Sequence, residues 1–172
     1  MIVCETPRLR LRRLRADEDA PFILALVNEP SWLANIGDRG VRTLDDARAY
    51  ITKGPLASYA QHGFGLFCVE LRETGERIGM CGLLKRDWLA DVDVGFALFP
   101  KFWGKGYAYE SAAGIIEWAR TACGVTRVAG IVKPENAASI RVLEKLGMRF
   151  ERIVTSPDGL VSRLYVPPPA PS

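Results

Sequence analysis

The hydrophobic pattern at the start of the chain changes from an alternating period to a helical one. Leucines alternate with arginines in "RLRLRRLR", which predicts a half-buried strand over about 7–14 with a basic outer face. The next segment, "ADEDAPFILALVNE", has apolar residues at helical spacing and predicts a helix. Thr43, followed by Asp45 and Asp46, predicts the capped start of a second helix that continues to about Tyr59.

The rest of the chain predicts six more strands and two more helices. Residues 30–42 are rich in turn formers and predict a loop. The further strands are predicted at 63–71, 77–86, 91–99, 126–132, 149–154 and 160–166, and the helices at about 107–124 and 136–147. The order is therefore β-α-α-β-β-β-α-β-α-β-β. It predicts an α/β (α+β) fold with a mixed, mostly antiparallel seven-stranded sheet and helices on both faces.

Composition favours one ordinary globular domain. The 172 residues are 48% hydrophobic and 25% charged, which is enough to build a core over residues 1–166. The proline-rich tail, residues 167–172, is predicted to be disordered. No apolar run is long enough to span a membrane, and the first residues lack the apolar core of a signal peptide. We therefore expect a cytoplasmic protein without a membrane partner.

Charge, cysteine and histidine content exclude several classes of site. A net charge of +3 is too small to argue for a nucleic-acid partner. The four cysteines contain no C-x-x-C pair, so neither a zinc site nor a disulfide framework is expected. A single histidine, His62, cannot support a cluster of metal ligands. We expect no metal, and either a monomer or a homodimer.

One glycine-containing turn stands between a predicted strand and a predicted helix, in "FPKFWGKGYAYESA". Its two glycines, Gly104 and Gly106, surround Lys105 at the point where the helix begins. Such a turn leaves backbone N–H groups unpaired at a helix N-terminus, and with Lys101 nearby it suits a phosphate group. The glycines by themselves also fit an ordinary surface turn, so other segments must decide between the two interpretations.

Three motifs in this order resemble the GNAT N-acetyltransferase family. They are "ETPRLRLRRL" near the start, "KFWGKGYA" between a strand and a helix, and "NAASIRVLEKLGM" after the next strand. The first two are similar to the ribosomal-protein N-terminal acetyltransferase (RimJ/RimL-like) branch, and the resemblance covers residues 5–166. It implies an enzyme that moves the acetyl group of acetyl-CoA to a primary amine by direct attack in a ternary complex.

The resemblance also assigns residues to the donor. It places the pyrophosphate on the N–H groups of a loop that here consists of Lys101, Phe102, Trp103, Gly104, Lys105, Gly106 and Tyr107. The first position carries lysine where the family has arginine or glutamine, which keeps the positive charge. The pantetheine is expected beside Phe96, Ala97 and Leu98, paired as an extra strand would be. A β-bulge at Gly95 would aim an N–H at the thioester oxygen. Asn136 is expected to bind the cofactor arm.

The candidate catalytic residues follow from the same resemblance. Asp93 occupies the acidic position of the family's strand motif, as "DVGF", and is the expected general base, with Asp91 and Glu70 as alternatives. Each could also be a solvated strand carboxylate. Many relatives use a tyrosine as general acid at the position of Leu143, so that acid is absent here. Ser139 resembles the hydroxyl suggested for this role, although it also suits a helix start.

The acceptor and the function class stay open at this point. The resemblance lines the acceptor groove with residues 31–42 and 156–159, whose mixed charges favour neither a cationic nor an anionic acceptor. A protein N-terminus, an amino acid and a small amine all remain possible acceptors. The alternative class is an acyl-CoA-binding protein without catalysis. An ATP-binding domain is disfavoured, because G-x-x-x-x-G-K-[ST] is absent.

Overall fold

The computed structural model describes residues 1–169, which form eight strands and six α-helices. The strands are β1 (Ile2–Glu5), β2 (Leu9–Arg12), β3 (Leu66–Leu71), β4 (Arg77–Leu84), β5 (Val92–Leu98), β6 (Val128–Val132), β7 (Arg149–Thr155) and β8 (Val161–Val166). The helices are α1 (Ala20–Leu26), α2 (Pro30–Asn35), α3 (Leu44–Ile51), α4 (Ala57–His62), α5 (Tyr107–Ala122) and α6 (Ala137–Lys145). The predicted disordered tail falls partly on residues 170–172, which lie outside the described residues.

A single mixed sheet carries the fold. Its strand order is β1-β2-β3-β4-β5-β6-β8-β7, and every neighbouring pair is antiparallel except β5 and β6, which are parallel. The predicted class, a mostly antiparallel sheet covered by helices on both faces, is confirmed. None of the helices within residues 1–169 is long and apolar enough to cross a membrane.

The predicted count of seven strands and the predicted element order are wrong in two places. The four-residue strand β1 precedes the first predicted strand and pairs with it through an irregular register. Such a short segment carries too little period to identify a strand, and its pairing with β2 decides its conformation. In the segment predicted as a loop, α2 begins with Pro30 in its first turn, a position that proline favours.

The second predicted helix begins as expected and runs further than expected. Thr43 and Asp46 form a reciprocal capping box, in which each side chain accepts a hydrogen bond from the other's backbone N–H. The helix then continues through a π-helical turn, Thr52–Leu56, into α4, where Gly63 ends it in a left-handed conformation. The π turn contains Pro55, which has no N–H to donate and so interrupts the regular hydrogen bonding.

The two faces of β5 pack against different helices. Val94 and Leu98 lie in one core cluster with apolar residues of α5 and α6, such as Ile115 and Leu143. Ala97, on the opposite face, packs against the cluster formed by α1, α2 and α3. Because side chains alternate along a strand, Asp93 and Gly95 share the face of Ala97, on the side of α1 to α3.

The basic outer face predicted for β2 is wrong at Arg12, which is buried. Its guanidinium donates two hydrogen bonds to the buried carboxylate of Asp19, at 2.8 and 2.9 Å, and another to Glu70 on β3. Arg77 lies 2.9 Å from the same Asp19 carboxylate. Burial works to raise the pKa of Asp19, but the hydrogen bonds from Arg12 and from the Arg15 backbone outweigh it and hold this pKa below its ordinary value.

Candidate active site

Strands β5 and β6 separate in the middle of the sheet. They pair only at two positions, Val92 with Val128 and Asp93 with Ala129. Beyond Ala129, β6 pairs with β8 on its other side, while β5 stays paired with β4. Within the described part of the chain, the space between β5 and β6 beyond these pairs therefore has no strand in it. We call this space the cleft.

Alternate residues of β5 present their backbone groups to the cleft. The Phe99 N–H donates to the Ile78 carbonyl at 2.9 Å, so Phe99, Ala97 and Gly95 face β4. The N–H and C=O groups of Phe96 and Leu98 consequently face the cleft. The indole Nε1–H of Trp103 donates to the Leu98 carbonyl at 3.0 Å, as expected for a carbonyl on that side.

The β-bulge predicted at Gly95 is wrong. The register of β4 and β5 runs without a shift from Gly79 opposite Leu98 to Leu84 opposite Asp93. Gly95 is paired with Gly82 in this ladder, so its N–H points toward β4 and not into the cleft. The strands separate because β6 turns to β8, which is a property of the sheet topology that no single residue of β5 signals.

The cleft leads to the glycine turn, residues 101–107. A 3₁₀ turn over Pro100–Phe102 is followed by Gly104 and Gly106, with φ angles of 75° and 82°. These left-handed conformations favour glycine. Gly106 is the N-cap of the 16-residue helix α5 and provides no side chain to cap it. The first N–H groups of α5 thus point outward from its N-terminus, where the helix dipole favours an anion.

The remaining residues of the glycine turn take different roles. Lys101 donates to Glu76 at 2.9 Å and is 67% exposed, so this lysine is turned toward β4. Phe102 is buried in the core and lies edge-on to Tyr107. The Lys105 side chain is exposed. Four residues of the predicted phosphate loop, Gly104 to Tyr107, have their backbone at the start of helix α5.

Asp93 lies at the point where β5 and β6 separate. It is 1% exposed, and its Oδ1 accepts a hydrogen bond of 2.9 Å from Nε of Arg86. Burial raises the pKa of Asp93 to about 6, although the Arg86 charge acts in the opposite direction. The sequence analysis missed Arg86. The β4–β5 register would have identified it, because Leu84 lies opposite Asp93 and Arg86 follows two residues later.

The two alternative bases have other partners. Asp91 accepts a hydrogen bond from Arg127 at 2.9 Å. Glu70 is part of the buried network with Arg12, and it pairs in register with Arg77 at the far end of β4. That end is seven residue steps along β4 from the position opposite Asp93, which corresponds to roughly 20 Å along the sheet.

Helix α6 covers β6 on the face opposite Asp93. The Asn136 side chain caps this helix by accepting from the Ser139 N–H at 3.2 Å. Leu143 is 2% exposed and packs on Gly130 of β6, where an added Cβ would stand 2.7 Å from the leucine side chain. Ser139 lies one helical turn before Leu143, toward the carboxyl end of β6. Asp93 and Ser139 are therefore not in contact, and they flank the cleft from opposite faces of the sheet.

The first of the two segments predicted to line the acceptor groove, residues 31–42, lies close to the end of β6. The Lys133 ammonium group, just after β6, donates to the Ala34 carbonyl of α2 at 2.6 Å. In the loop that follows α2, Arg42 and Asp38 form an exposed ion pair. Trp32 of α2 and Val41 of its loop are buried in the core cluster against which Ala97 packs. Helix α2 and its loop therefore lie on the face of the sheet that carries Asp93.

Comparison with known proteins gives a family for this arrangement. The family model described as an acetyltransferase (GNAT) domain matches residues 8–149. An uncharacterized N-acetyltransferase of Bacillus subtilis, YoaA, is 28% identical over 156 residues, which cover 88% of this chain and 85% of YoaA.

Solved structures share the fold. The acetyltransferase from Agrobacterium tumefaciens superposes with a TM-score of 0.79 at 26% identity, over 94% of this chain and 91% of that chain. RimL, a ribosomal L7/L12 alpha-N-protein acetyltransferase solved in complex with coenzyme A, superposes with a TM-score of 0.81 at 16% identity, over 96% of this chain and 97% of RimL. At that identity the likeness to RimL is one of fold.

The matches confirm the resemblance that the three motifs predict. The chain is an acetyltransferase. On these findings, the chain belongs to the GNAT acetyltransferase family.

Proposed function

We propose that acetyl-CoA lies along the cleft-facing edge of β5, with its pyrophosphate on the helix start at Gly104–Tyr107. The observation that carries this proposal is the pairing of β5, whose Phe96 and Leu98 backbone groups face a cleft without a strand. The pantetheine amides can pair with these groups as an added strand would. The Leu98 carbonyl already accepts from Trp103, and its second lone pair can take a pantetheine N–H.

The acceptor is a primary amine that approaches from the face of α1 to α3. Its nitrogen attacks the thioester carbon, and the resulting oxyanion can accept a hydrogen bond from the Phe96 N–H. Phe96 thus takes the role that the sequence analysis expected of the Gly95 N–H. Asp93 accepts the proton that the amine loses, and a pKa of about 6 suits a base at neutral pH. The C–S bond then breaks, and the CoA thiolate takes a proton.

Ser139 is the proposed donor of that last proton. It lies on the α6 face, across the cleft from Asp93. The base therefore acts on the amine from one side of the cleft, and the acid acts on the CoA thiolate from the other side. Leu143 is buried against Gly130 and has no proton to give. Asn136 is the proposed ligand of the cofactor arm, next to the same helix start.

The proposed function is tested by release of CoA thiol from acetyl-CoA with a panel of small amines, amino acids and N-terminal peptides. We expect turnover with at least one member and a mass increase of one acetyl group on its amine. Binding of acetyl-CoA without turnover across the panel would instead indicate the non-catalytic acyl-CoA-binding alternative. A thermal-shift comparison with ATP separates donor binding from general phosphate binding, because only a bound ligand raises the melting temperature.

Ser139→Ala is expected to slow acetyl transfer about tenfold, less than the ~10²–10⁴-fold that general acid catalysis can contribute, because a CoA thiolate is a good leaving group. The cap of α6 is the Asn136 side chain, which accepts from the Ser139 backbone. The variant should therefore keep the wild-type melting temperature. Turnover and melting temperature are measured together.

Asn136→Ala is the comparison for melting temperature alone, because Asn136 is also the proposed ligand of the cofactor arm. It removes the cap and should cost about 1 kcal/mol of stability. If Ser139→Ala transfers acetyl at the wild-type rate, Ser139 is only a helix-start residue and the thiolate leaves without a side-chain acid.

A further inference from the structure

We propose that Arg8, on the turn between β1 and β2, positions the glycine turn for the diphosphate of the donor. The inference rests on the proposed donor site and adds to that site a residue that is far from it in the sequence. Arg8 precedes Lys105 by 97 residues, yet its Nη1 donates to the Lys105 carbonyl at 2.9 Å. A hydrogen bond to this carbonyl, between the two glycines, fixes the orientation of the peptide that leads into Gly106.

Glu110 and Tyr107 hold Arg8 in place, and Thr6 in turn holds Glu110. The Arg8 Nε donates to Glu110 Oε1 at 2.7 Å, and the Arg8 backbone N–H donates to Glu110 Oε2 at 2.9 Å. The Thr6 hydroxyl donates to the same Oε2 at 2.5 Å. The guanidinium carbon also lies 4.4 Å from the centre of the Tyr107 ring. Glu110 is in the first turn of α5, so the cluster joins the β1–β2 turn to the helix start that the donor uses.

The guanidinium reaches the place where a phosphate must approach. Its Nη2 lies 3.3 Å from the point at which a Cβ on Gly106 would stand. Arginine presents its donors in a rigid planar fork, which lets one edge bond to the carbonyl while another faces the glycine. Thr6, Arg8, Lys105, Tyr109, Glu110 and Lys145 are among the residues that line a groove of about 530 Å³ beside this point.

A purely stabilising ion pair explains these contacts less well. The Arg8 side chain is 46% exposed, and an ion pair with an exposed member contributes little stability, although its Glu110 partner is only 16% exposed. The nearby pair of Arg10 and Glu5 has a similar length, 3.0 Å, and its side chains are 34% and 38% exposed. Arg10 makes no hydrogen bond to the glycine turn in the described part of the chain, which makes it the matched control.

The experiment compares the binding of CoA, 3′-dephospho-CoA and pantetheine to the full chain by calorimetry. Arg8→Ala is expected to weaken CoA and 3′-dephospho-CoA equally, by about tenfold, because both contain the diphosphate. Pantetheine, which lacks it, should bind as it does to the wild type. Arg10→Ala should leave all three affinities unchanged. Arg8→Lys keeps the charge without the fork and should recover only part of the loss.

Each other outcome overturns the proposal. Equal weakening of all three ligands would make Arg8 a structural residue. Weakening of CoA alone would mean that Arg8 contacts the 3′-phosphate and does not act through the glycine turn. If Arg8→Ala does not fold, the same comparison is made with Arg8→Lys. Unchanged affinity of Arg8→Lys for CoA and 3′-dephospho-CoA would then show that the planar guanidinium is not required, which contradicts the proposal. A wild type that does not prefer CoA over pantetheine would refute the donor site itself, whereas the first two outcomes leave that site in place.

Discussion

Asp93→Asn is expected to lower kcat by about 10²-fold at pH 7 and to leave CoA affinity unchanged, because the carboxylate acts on the amine and not on the donor. The asparagine side chain can still accept the hydrogen bond from Arg86. The Arg86 guanidinium therefore keeps a hydrogen-bond partner although the ion pair is lost. The rate is measured by thiol release, and CoA affinity by calorimetry.

The pH dependence identifies the role of Asp93. Burial raises its pKa to about 6, so the wild-type carboxylate is ionised above that pH and becomes protonated below it. Wild-type kcat should therefore fall as pH drops through about 6, and the variant should lack this limb. The difference between the two should also shrink at high pH, because the amine then arrives already deprotonated.

Asp91→Asn is the control for Asp93. It lies two residues earlier, pairs with Arg127 and is partly exposed. We expect its kcat to stay within about twofold of the wild type, because Asp91 precedes the point where β5 and β6 separate and a surface substitution changes stability by only about 0.5 kcal/mol. A constant loss across pH in Asp93→Asn, or a larger loss in Asp91→Asn, would contradict the assignment of Asp93 as the base.

Gly106→Asp is expected to weaken acetyl-CoA binding by about 100-fold or more, equivalent to ~2.7 kcal/mol. Its carboxylate would stand at the helix start where the pyrophosphate must lie, and juxtaposed like charges cost several kcal/mol. Gly106 has a φ of 82°, so any side chain adds strain of about 1–3 kcal/mol. The melting temperature should fall by several degrees while the fold is retained.

Two variants separate charge from strain at this position. Asparagine has the same shape as aspartate but no charge. Gly106→Asn should therefore be destabilised as much as Gly106→Asp, but its affinity for acetyl-CoA should fall clearly less. Gly124→Asn introduces similar strain at a left-handed glycine away from the donor site, with a φ of 67°, and should bind acetyl-CoA normally. Wild-type affinity in a folded Gly106→Asp variant would mean that the glycine turn is not the phosphate site.

The features that sequence predicts correctly are those with local causes. The capped helix start at Thr43 and the glycine turn that leads into α5 depend on residues within one or two turns of the chain. Periodicity likewise identifies the strand that carries Asp93, because its apolar residues pack on α5 over several positions.

The contacts that sequence analysis missed join distant segments. Arg8 and Glu110 are separated by 102 residues, and nothing in either segment indicates the other. Arg12 lies in a run of arginines whose pattern is typical of an exposed face, yet Asp19 and Glu70 provide partners that allow its burial. The bulge expected at Gly95 fails for a similar reason, because the separation of β5 from β6 is decided by the pairing of β6 with β8.

Each face and each edge of strand β5 has a different neighbour. One face carries Asp93, the other packs against α5, one edge binds β4, and the opposite edge faces the cleft. A single inserted or deleted residue between Asp93 and Leu98 would exchange both the faces and the edges of the residues that follow it. The number of residues from Asp93 to Leu98 is therefore constrained as strictly as their identity, and homologous enzymes should tolerate length changes in their surface loops but not in this strand.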